Sequence, residues 1–436
     1  MNRILGLFFV CCATLLIAPD ALARDWYVAP HGKGKKGTKE KPSKDLGNII
    51  KKLEAGDVIH IAEGVYTGRG DNGSNKILLP VSIIGGYSKD FAKRDPWGAH
   101  RTVFAGVNIG DNYTSEPALF IDLMKYTGPN KPIVVDGLII DMGARNRYKT
   151  KDAHKLLPRA NPAKKENPSP SMGGLVVRVS KSEKFDNGPR WNITVQNNIV
   201  INCYGNQGCL SVSGYKGSKI AIKNNVVAQH SGHGIYIGSK FAGSDSFPHF
   251  DVSNNTVVFS WDSGFSQGFN IGFDRSTTST VKQNVFAFSD IYAIWNGNKS
   301  KGITLVDNVV AGASKGDFLE FDTVMQIDEI EDEAEYLGDD TEENKTAQVK
   351  FPVSSDFAKV YGSRVVVDRE KAEANVKAAN SDANALRSML GLPVQAGSVD
   401  WPKIDVYLNR ISVDDAVAIA NAPHEKKYGA NKALIK

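Results

Sequence analysis

The sequence predicts an all-β chain wound as a parallel β-helix, a solenoid with an N-terminal capping helix and a C-terminal, partly helical extension. Three observations predict it. One short element recurs as VQNNIVIN, IKNNVVAQ, VSNNTVVF, VKQNVFAF and LVDNVVAG, and its asparagines at Asn198, Asn225, Asn255, Asn284 and Asn308 are 27, 30, 29 and 24 residues apart. A second element accompanies the first throughout, from GLVVRVS through CLSVSGY, GIYIGSK, GFNIGFD and AIWNGNK to FLEFDTV. Both elements are short, rich in β-branched residues and bounded by Gly, Asn and Ser, the composition of strands and their turns.

A unit of this length cannot bury its apolar face alone, whereas stacked units bury a continuous column and pair every internal strand edge. Asparagines stacked at one corner can hydrogen-bond one another and tolerate the left-handed backbone of a bend. A β-sandwich would instead show hairpin turns and no fixed two-strand period.

Taken in order, residues 1–23 carry Asn2-Arg3, an apolar run from Ile4 to Ile17 and then Ala21-Leu22-Ala23, the layout of a cleaved secretory signal. Export to the periplasm or the extracellular space is the expectation, and no later segment is apolar for long enough to span a bilayer. Residues 24–325 are assigned to the solenoid. A short amphipathic helix over about Lys44 to Leu53 is expected to cap its open end, and LLPVSIIGGYS, RTVFAGV, ALFIDL and IVVDGLIID supply early coils. A polar, basic, Pro-rich stretch at about 142–171 reads as a long loop thrown out from one coil. Residues 326–436 follow: an acidic, mobile loop from Asp328 to Glu343, a helix in DREKAEANVKAANSDANALRSML, and another with Ser412 as N-cap and Asp415 three residues on.

Charge and cysteines narrow the class. A net charge of +5 is mild and gives no basis for a nucleic-acid partner, although Lys33, Lys35, Lys36, Lys39, Lys41, Lys44, Lys51 and Lys52 crowd the mature N-terminus and can steer an acidic polymer. Loss of the signal leaves Cys203 and Cys209 of the four cysteines. They are either one small disulfide or two buried thiols, and their surroundings offer neither a metal-ligand spacing nor a nucleophile's partner. Arg-Gly-Asp within GRGDNG is a chance occurrence in a Gly-rich turn.

DWYVAPHGKGKKGTKEKPSKDLGNIIKKLEAGDVIHIAEGVYTG, with IIGGY after it, resembles the entry of secreted right-handed parallel β-helix proteins of the pectate-lyase-like superfamily, over about Asp25 to Asp322. The resemblance implies the fold; that superfamily holds lyases, hydrolases, epimerases, adhesins and structural proteins. GHGIYIGS at Gly232 to Ser239 is similar to the histidine motif of polygalacturonases. Where that family carries paired aspartates this chain has Gln207 and Gly208, so the two carboxyl groups that inverting hydrolysis needs are missing.

The residues themselves suggest a different site. With Ile235 and Ile237 inward, strand alternation turns Tyr236 outward, and the same phasing sends out Arg178, Ser211, Ser213, Asn270, Asp274, Trp295, Glu320 and Asp322. Aromatic rings cover the apolar faces of sugars, and polar groups read their hydroxyls. A uronate lyase or C5-epimerase needs a base beside a carboxylate and a cation to stabilise the resulting anion. His233 or Tyr236 is the candidate base, and Arg178 or Arg275 the candidate cation. Asn270, Asp274, Trp295 and Glu320 are the candidate substrate contacts. No cofactor is recognisable; calcium is compatible with the superfamily, but no ligand cluster stands near a basic residue. The expected partner is an acidic polysaccharide, met by β-elimination or epimerisation. The alternative is a non-catalytic β-helix that binds polysaccharide or serves the cell envelope, and a polygalacturonase-type hydrolase is the third reading.

Overall fold

The computed structural model describes residues 23–34, 36–67, 74–105, 117–143, 173–179, 191–203, 208–239, 246–261, 268–274, 277–298, 300–364, 388–391, 409–422, 425 and 427–435. They form a right-handed parallel β-helix. One coil shows the plan: Asn192–Gln196 lies in the first sheet, Ile199–Cys203 in the second and Leu210–Gly214 in the third, and Lys219–Lys223 then returns to pair in parallel with Asn192–Gln196.

The alternation read from sequence fills the interior. Trp26, Ile59, Ile83, Val135, Val195, Ile222, Val252, Val281 and Leu305 are successive register partners along the first sheet, and all are buried. Each inner member of the row has like neighbours above and below, so the apolar faces of the inner coils are kept from water.

At the corner between the first and second sheets the asparagines form a ladder. Asn198, Asn225, Asn255, Asn284 and Asn308 each donate a side-chain N–H to the Oδ1 of the next, at 3.1, 2.9, 3.0, 2.9 and 2.8 Å, and the last of these acceptors is Asn344. The left-handed backbone belongs to the residue before each rung: Asn197, Asn224, Asn254, Gln283 and Asp307 have φ of 56, 53, 54, 56 and 52°. Asn and Asp are the residues that enter this region most readily, so the paired Asn-Asn divides two tasks, bending and bonding.

The strand Val226–Ser239 belongs to two sheets. Its first half pairs with Ile199–Cys203 and Thr256–Trp261 in the second sheet, and its second half with Leu210–Gly214 and Gly268–Phe273 in the third. Gly232, at φ 72°, stands at the corner that joins the halves. There the in-and-out alternation slips by one residue.

Both ends differ from the sequence expectation. The predicted cap over Lys44–Leu53 is two 3-10 turns, Leu46–Asn48 and Ile50–Lys52, and not an α-helix. In a 3-10 turn residues three apart eclipse, which turns Leu46 and Ile49 together into the core with Trp26. At the far end the acidic 328–343 stretch is not a mobile loop. Ile327 and Ile330 are buried, Leu337 and Glu342 bridge to Ile303 and Val306, and Asn344 completes the ladder, which together make a partial further coil. The antiparallel strand Thr323–Met325 covers the last edge of the third sheet.

The C-terminal extension lies on the outer face of the second sheet. Tyr361, on the helix Ser355–Arg364, donates from its hydroxyl to the carbonyls of Ser260, at 2.8 Å, and of Phe288. The helix Val413–Asn421 starts at Ser412, whose Oγ accepts from the N–H of Asp415 at 2.9 Å. Ile199, Ile201, Val226, Ala228, Val258 and Ala287 pack under these helices as a second apolar core. The signal segment, most of the loop at 142–171 and most of the helix in DREKAEANVKAANSDANALRSML lie outside the described residues. Among the described residues, no helix is long and apolar enough to cross a membrane.

Candidate functional site

On the outer face of the third sheet, register sets which side chains are neighbours. Val176, Ser211, Tyr236, Gly272 and Trp295 occupy one column, and Asp122, Arg178, Ser213 and Gly238 the next, which Asp274 continues through its N–H to the carbonyl of Ile237 at 2.8 Å. Gly272 leaves a gap in the first column, and His233 lies in it. A Cβ on Gly272 would strike the His233 ring.

The imidazole is walled in by rings, with centroids 5.0 Å from Tyr236, 5.1 Å from Phe269 and 5.1 Å from Trp295. Phe269 stacks in turn on Trp295 at 5.4 Å and on Tyr292 at 6.2 Å. Tyr236, Trp295 and Tyr292 remain half-buried, so the strip they form meets solvent. Phe120 continues the aromatic character to earlier coils, with the Arg178 guanidinium 5.1 Å and the Lys76 ammonium 4.9 Å from its ring centroid. Lys76 also pairs with Asp122 at 3.0 Å.

Burial sets the ionisation of the two candidate bases. His233 is 2 % exposed, its Nδ1 has no hydrogen-bond partner among the described residues, and desolvation lowers its pKa to about 3. The Tyr236 phenol is pushed up, first by burial and then by the charge of Asp274 and the hydrogen bond to it. Both are therefore neutral at pH 7. Partial burial lowers the Arg178 pKa, an effect opposed by Asp122.

The structure brings His233, Tyr236, Asp274 and Trp295 together and separates them from Arg178. The strands of Ser213 and Gly238 intervene in the Arg178 column, which at the usual strand spacing places Arg178 about 14 Å from Asp274. Arg275 lies outside the described residues. Two proposed substrate contacts are corrected. Asn270 points inward and is fully buried, donating to the carbonyls of Val257 and Ala287 and to the Ser260 hydroxyl at 2.9, 3.2 and 2.8 Å. The slip at the corner reverses its side relative to strict alternation. Glu320 is 4 % exposed and accepts the N–H groups of Glu335 and Tyr336 at 2.7 and 3.1 Å, so it anchors the partial last coil. Phe120, Phe269 and Tyr292 were not singled out in sequence. Alternation assigns Phe269 to the core, and only the broken phase at the corner turns it out.

His230, in the same strand, is fully buried and bonded through Nε2 to the Ser260 hydroxyl at 3.0 Å. Cys203 and Cys209 are joined in a disulfide, with Cα atoms 5.4 Å apart. Among the described residues no group of three His, Cys, Asp or Glu side chains stands where it could hold a metal ion, so none is assigned to calcium.

No family model and no curated protein matches the chain. Among solved structures it is similar to pectate lyase Pel9A, at TM-score 0.36 and 12 % identity over 87 % of this chain and 89 % of that one. It is also similar to XylC in its complex with xylose, at TM-score 0.25 and 13 % identity over 68 % of this chain and 70 % of that one. At these scores no residue role passes from either protein to this chain.

Proposed function

We propose that the protein is an exported, non-catalytic β-helix that binds an acidic polysaccharide along the outer face of its third sheet. The observation that carries this reading is the strip of Tyr236, His233, Phe269, Trp295 and Tyr292, packed ring against ring along a rigid sheet with Tyr236, Trp295 and Tyr292 half-exposed, and flanked by Asp274. Rings of this kind stack on the apolar faces of sugars, and a fixed sheet loses little conformational freedom on binding. Arg178 and Lys76, a few strands away on the same face, share the single carboxylate of Asp122, and the positive charge left over favours a uronate chain over a neutral one. The ionisation of the site supports binding over proton abstraction. A buried imidazole with a pKa of about 3 is a poor base near neutral pH, and a phenol shifted upward holds its proton.

The test is affinity electrophoresis of the mature protein through gels containing polygalacturonate, alginate or a neutral glucan, with ultraviolet absorbance of the same polymers followed in solution. Retardation by a polyuronate without new unsaturated ends supports the reading; equal mobility in every gel overturns it.

A second reading, β-elimination or C5-epimerisation, is favoured by one contact. The Tyr236 phenol, bonded to Asp274, faces the neutral imidazole of His233, which places an acid beside a weak base. Unsaturated ends in the absorbance assay, or an altered uronate composition without cleavage, would select it.

A further inference from the structure

The two ends of the solenoid carry opposite charge. At the start, the segment 37–43 runs along the outer edge of Asp25–Val28, the first strand of the first sheet. The N–H of Tyr27 donates to the Gly37 carbonyl at 2.9 Å, and the N–H of Ser43 to the Tyr27 carbonyl at 2.8 Å. The 3-10 turns Leu46–Asn48 and Ile50–Lys52 close the column beside it. Over the described residues of 33–54 this outermost layer carries seven lysines, all exposed, against the carboxylates of Glu40, Asp45 and Glu54. The neighbouring Lys89 and Asp90 offset each other, so the layer keeps a surplus of positive charge after its carboxylates are counted.

At the far end the partial last coil carries eleven carboxylates between Asp322 and Glu343, all exposed, and no lysine or arginine. Lys315 and Lys345 flank it and offset only two of them. So many charges of one sign in one layer set up a field that reaches about 10 Å at about 0.1 M salt. The end coils are also where apolar side chains meet water. Among the described residues seven large apolar side chains are exposed, and four of them lie there. Val65 and Leu78 are on or next to the first strands of the second and third sheets, and Phe321 and Val324 are at the last edge of the third. Each end thus joins apolar surface to a charge of its own sign.

We infer that the N-terminal end of one copy docks on the C-terminal end of a second copy. Like ends repel and unlike ends attract, so charge selects the head-to-tail contact over the two symmetric ones. Val65 and Leu78 of one copy, and Phe321 and Val324 of the other, lose water at the contact. The joined surfaces are opposite ends of one rod, so the contact advances along the axis and does not close on itself. It yields an open series of dimer, trimer and longer chains. This contact uses a different surface from the third-sheet strip and does not depend on polysaccharide binding.

Sedimentation velocity of the mature protein tests it, over a range of concentrations at about 0.01 M and about 1 M salt, between which the screening length falls from about 30 to about 3 Å. At low salt the mean sedimentation coefficient is expected to climb past that of a dimer as concentration rises. High salt should weaken the association by about tenfold or more. Lys36→Glu with Lys44→Glu and Lys51→Glu reverses the sign of the N-terminal end and should abolish self-association. A fluorescent trace of this variant should still sediment with excess wild type, because its C-terminal end is intact. Glu331→Gln with Asp332→Asn, Glu333→Gln and Asp340→Asn should weaken self-association by about tenfold from the other end. A wild type that stays monomeric at low salt, an association indifferent to salt, or one that stops at a closed dimer overturns the inference. So does full association by either variant, or a lysine variant that keeps the wild-type thermal midpoint and does not sediment with wild type. If the lysine variant unfolds, the carboxylate variant and the salt series decide.

Discussion

His233 packs its imidazole against the phenol ring of Tyr236 at 5.0 Å, over Gly272 and with Trp295 on its other side at 5.1 Å. The histidine is thereby part of a wall of rings: water that would solvate an imidazolium is excluded from it, and the ring stays neutral. What the strip offers a ligand is the exposed parts of Tyr236, Trp295 and Tyr292, edged by polar groups.

Trp295→Ala should reduce affinity for a polyuronate by about three- to tenfold, the weight of one aromatic stacking contact. Affinity electrophoresis measures this directly. Unchanged retardation with a folded variant would remove Trp295 from the binding face.

Acid should destabilise the fold in a defined window. Burial, and for His230 also the charge of His233, holds both histidine pKa values at about 3, against 6.5 for the free side chain. As pH falls below 6.5 the unfolded chain takes up protons that the native state refuses until about pH 3, so stability drops by up to about 1.4 kcal/mol per pH unit for each histidine. Asp317 acts in the opposite sense. Burial raises its carboxyl to about 6 from 3.8, so between those values the native state holds a proton that the unfolded chain has lost, and falling pH stabilises it. Urea midpoints taken across this range should fall less steeply in His233→Phe. In Asp317→Asn they should fall more steeply between about pH 6 and 4. A midpoint that does not change with pH contradicts the assignment.

Asn255→Ala should cost about 2–5 kcal/mol in urea unfolding. It removes the acceptor for the backbone and side-chain N–H groups of Asn225, at 3.0 and 2.9 Å, and the donor to the Ile222 carbonyl at 2.8 Å. Asn344→Ala, at the end of the ladder, should cost less: Asn344 likewise accepts from Asn308 and donates to the Leu305 carbonyl at 2.6 Å, but it is 7 % exposed where Asn255 is fully buried, and it donates to no further asparagine rung among the described residues.

Replacing Cys203 and Cys209 together by serine should lower stability by about 2 kcal/mol, because the disulfide closes a short loop and restrains few unfolded conformations. Differential scanning calorimetry of the variant would show a lower midpoint. An unchanged midpoint would mean that the bond does not restrain the unfolded chain.

The solenoid was legible because its physics is periodic. Inward Val and Ile, an Asn at each corner and a coil near 27 residues are repeated constraints, and each repeat confirms the last. The ends were not legible, because they stop the repeat. Asp328–Glu343 has the composition of a loop, yet two isoleucines and Asn344 are enough to dock it as a partial coil. Leu46 and Ile49 suit an α-helix or a 3-10 turn equally, so their spacing alone does not choose between the two.

The stretch HSGHGIYIGS, His230 to Ser239, divides along the same line. By itself the sequence determined that its isoleucines face the core and that Tyr236 faces out, since alternation follows from backbone geometry alone. The tertiary structure alone decided the rest. It bends the strand at Gly232 so that one strand serves two sheets, and the slipped phase there sends His233 and Phe269 outward while Asn270 turns in. Burial among neighbouring coils then makes both histidines neutral. Side-chain direction at a corner, and the solvent a titratable group retains, depend on residues some thirty positions away, which no local pattern encodes.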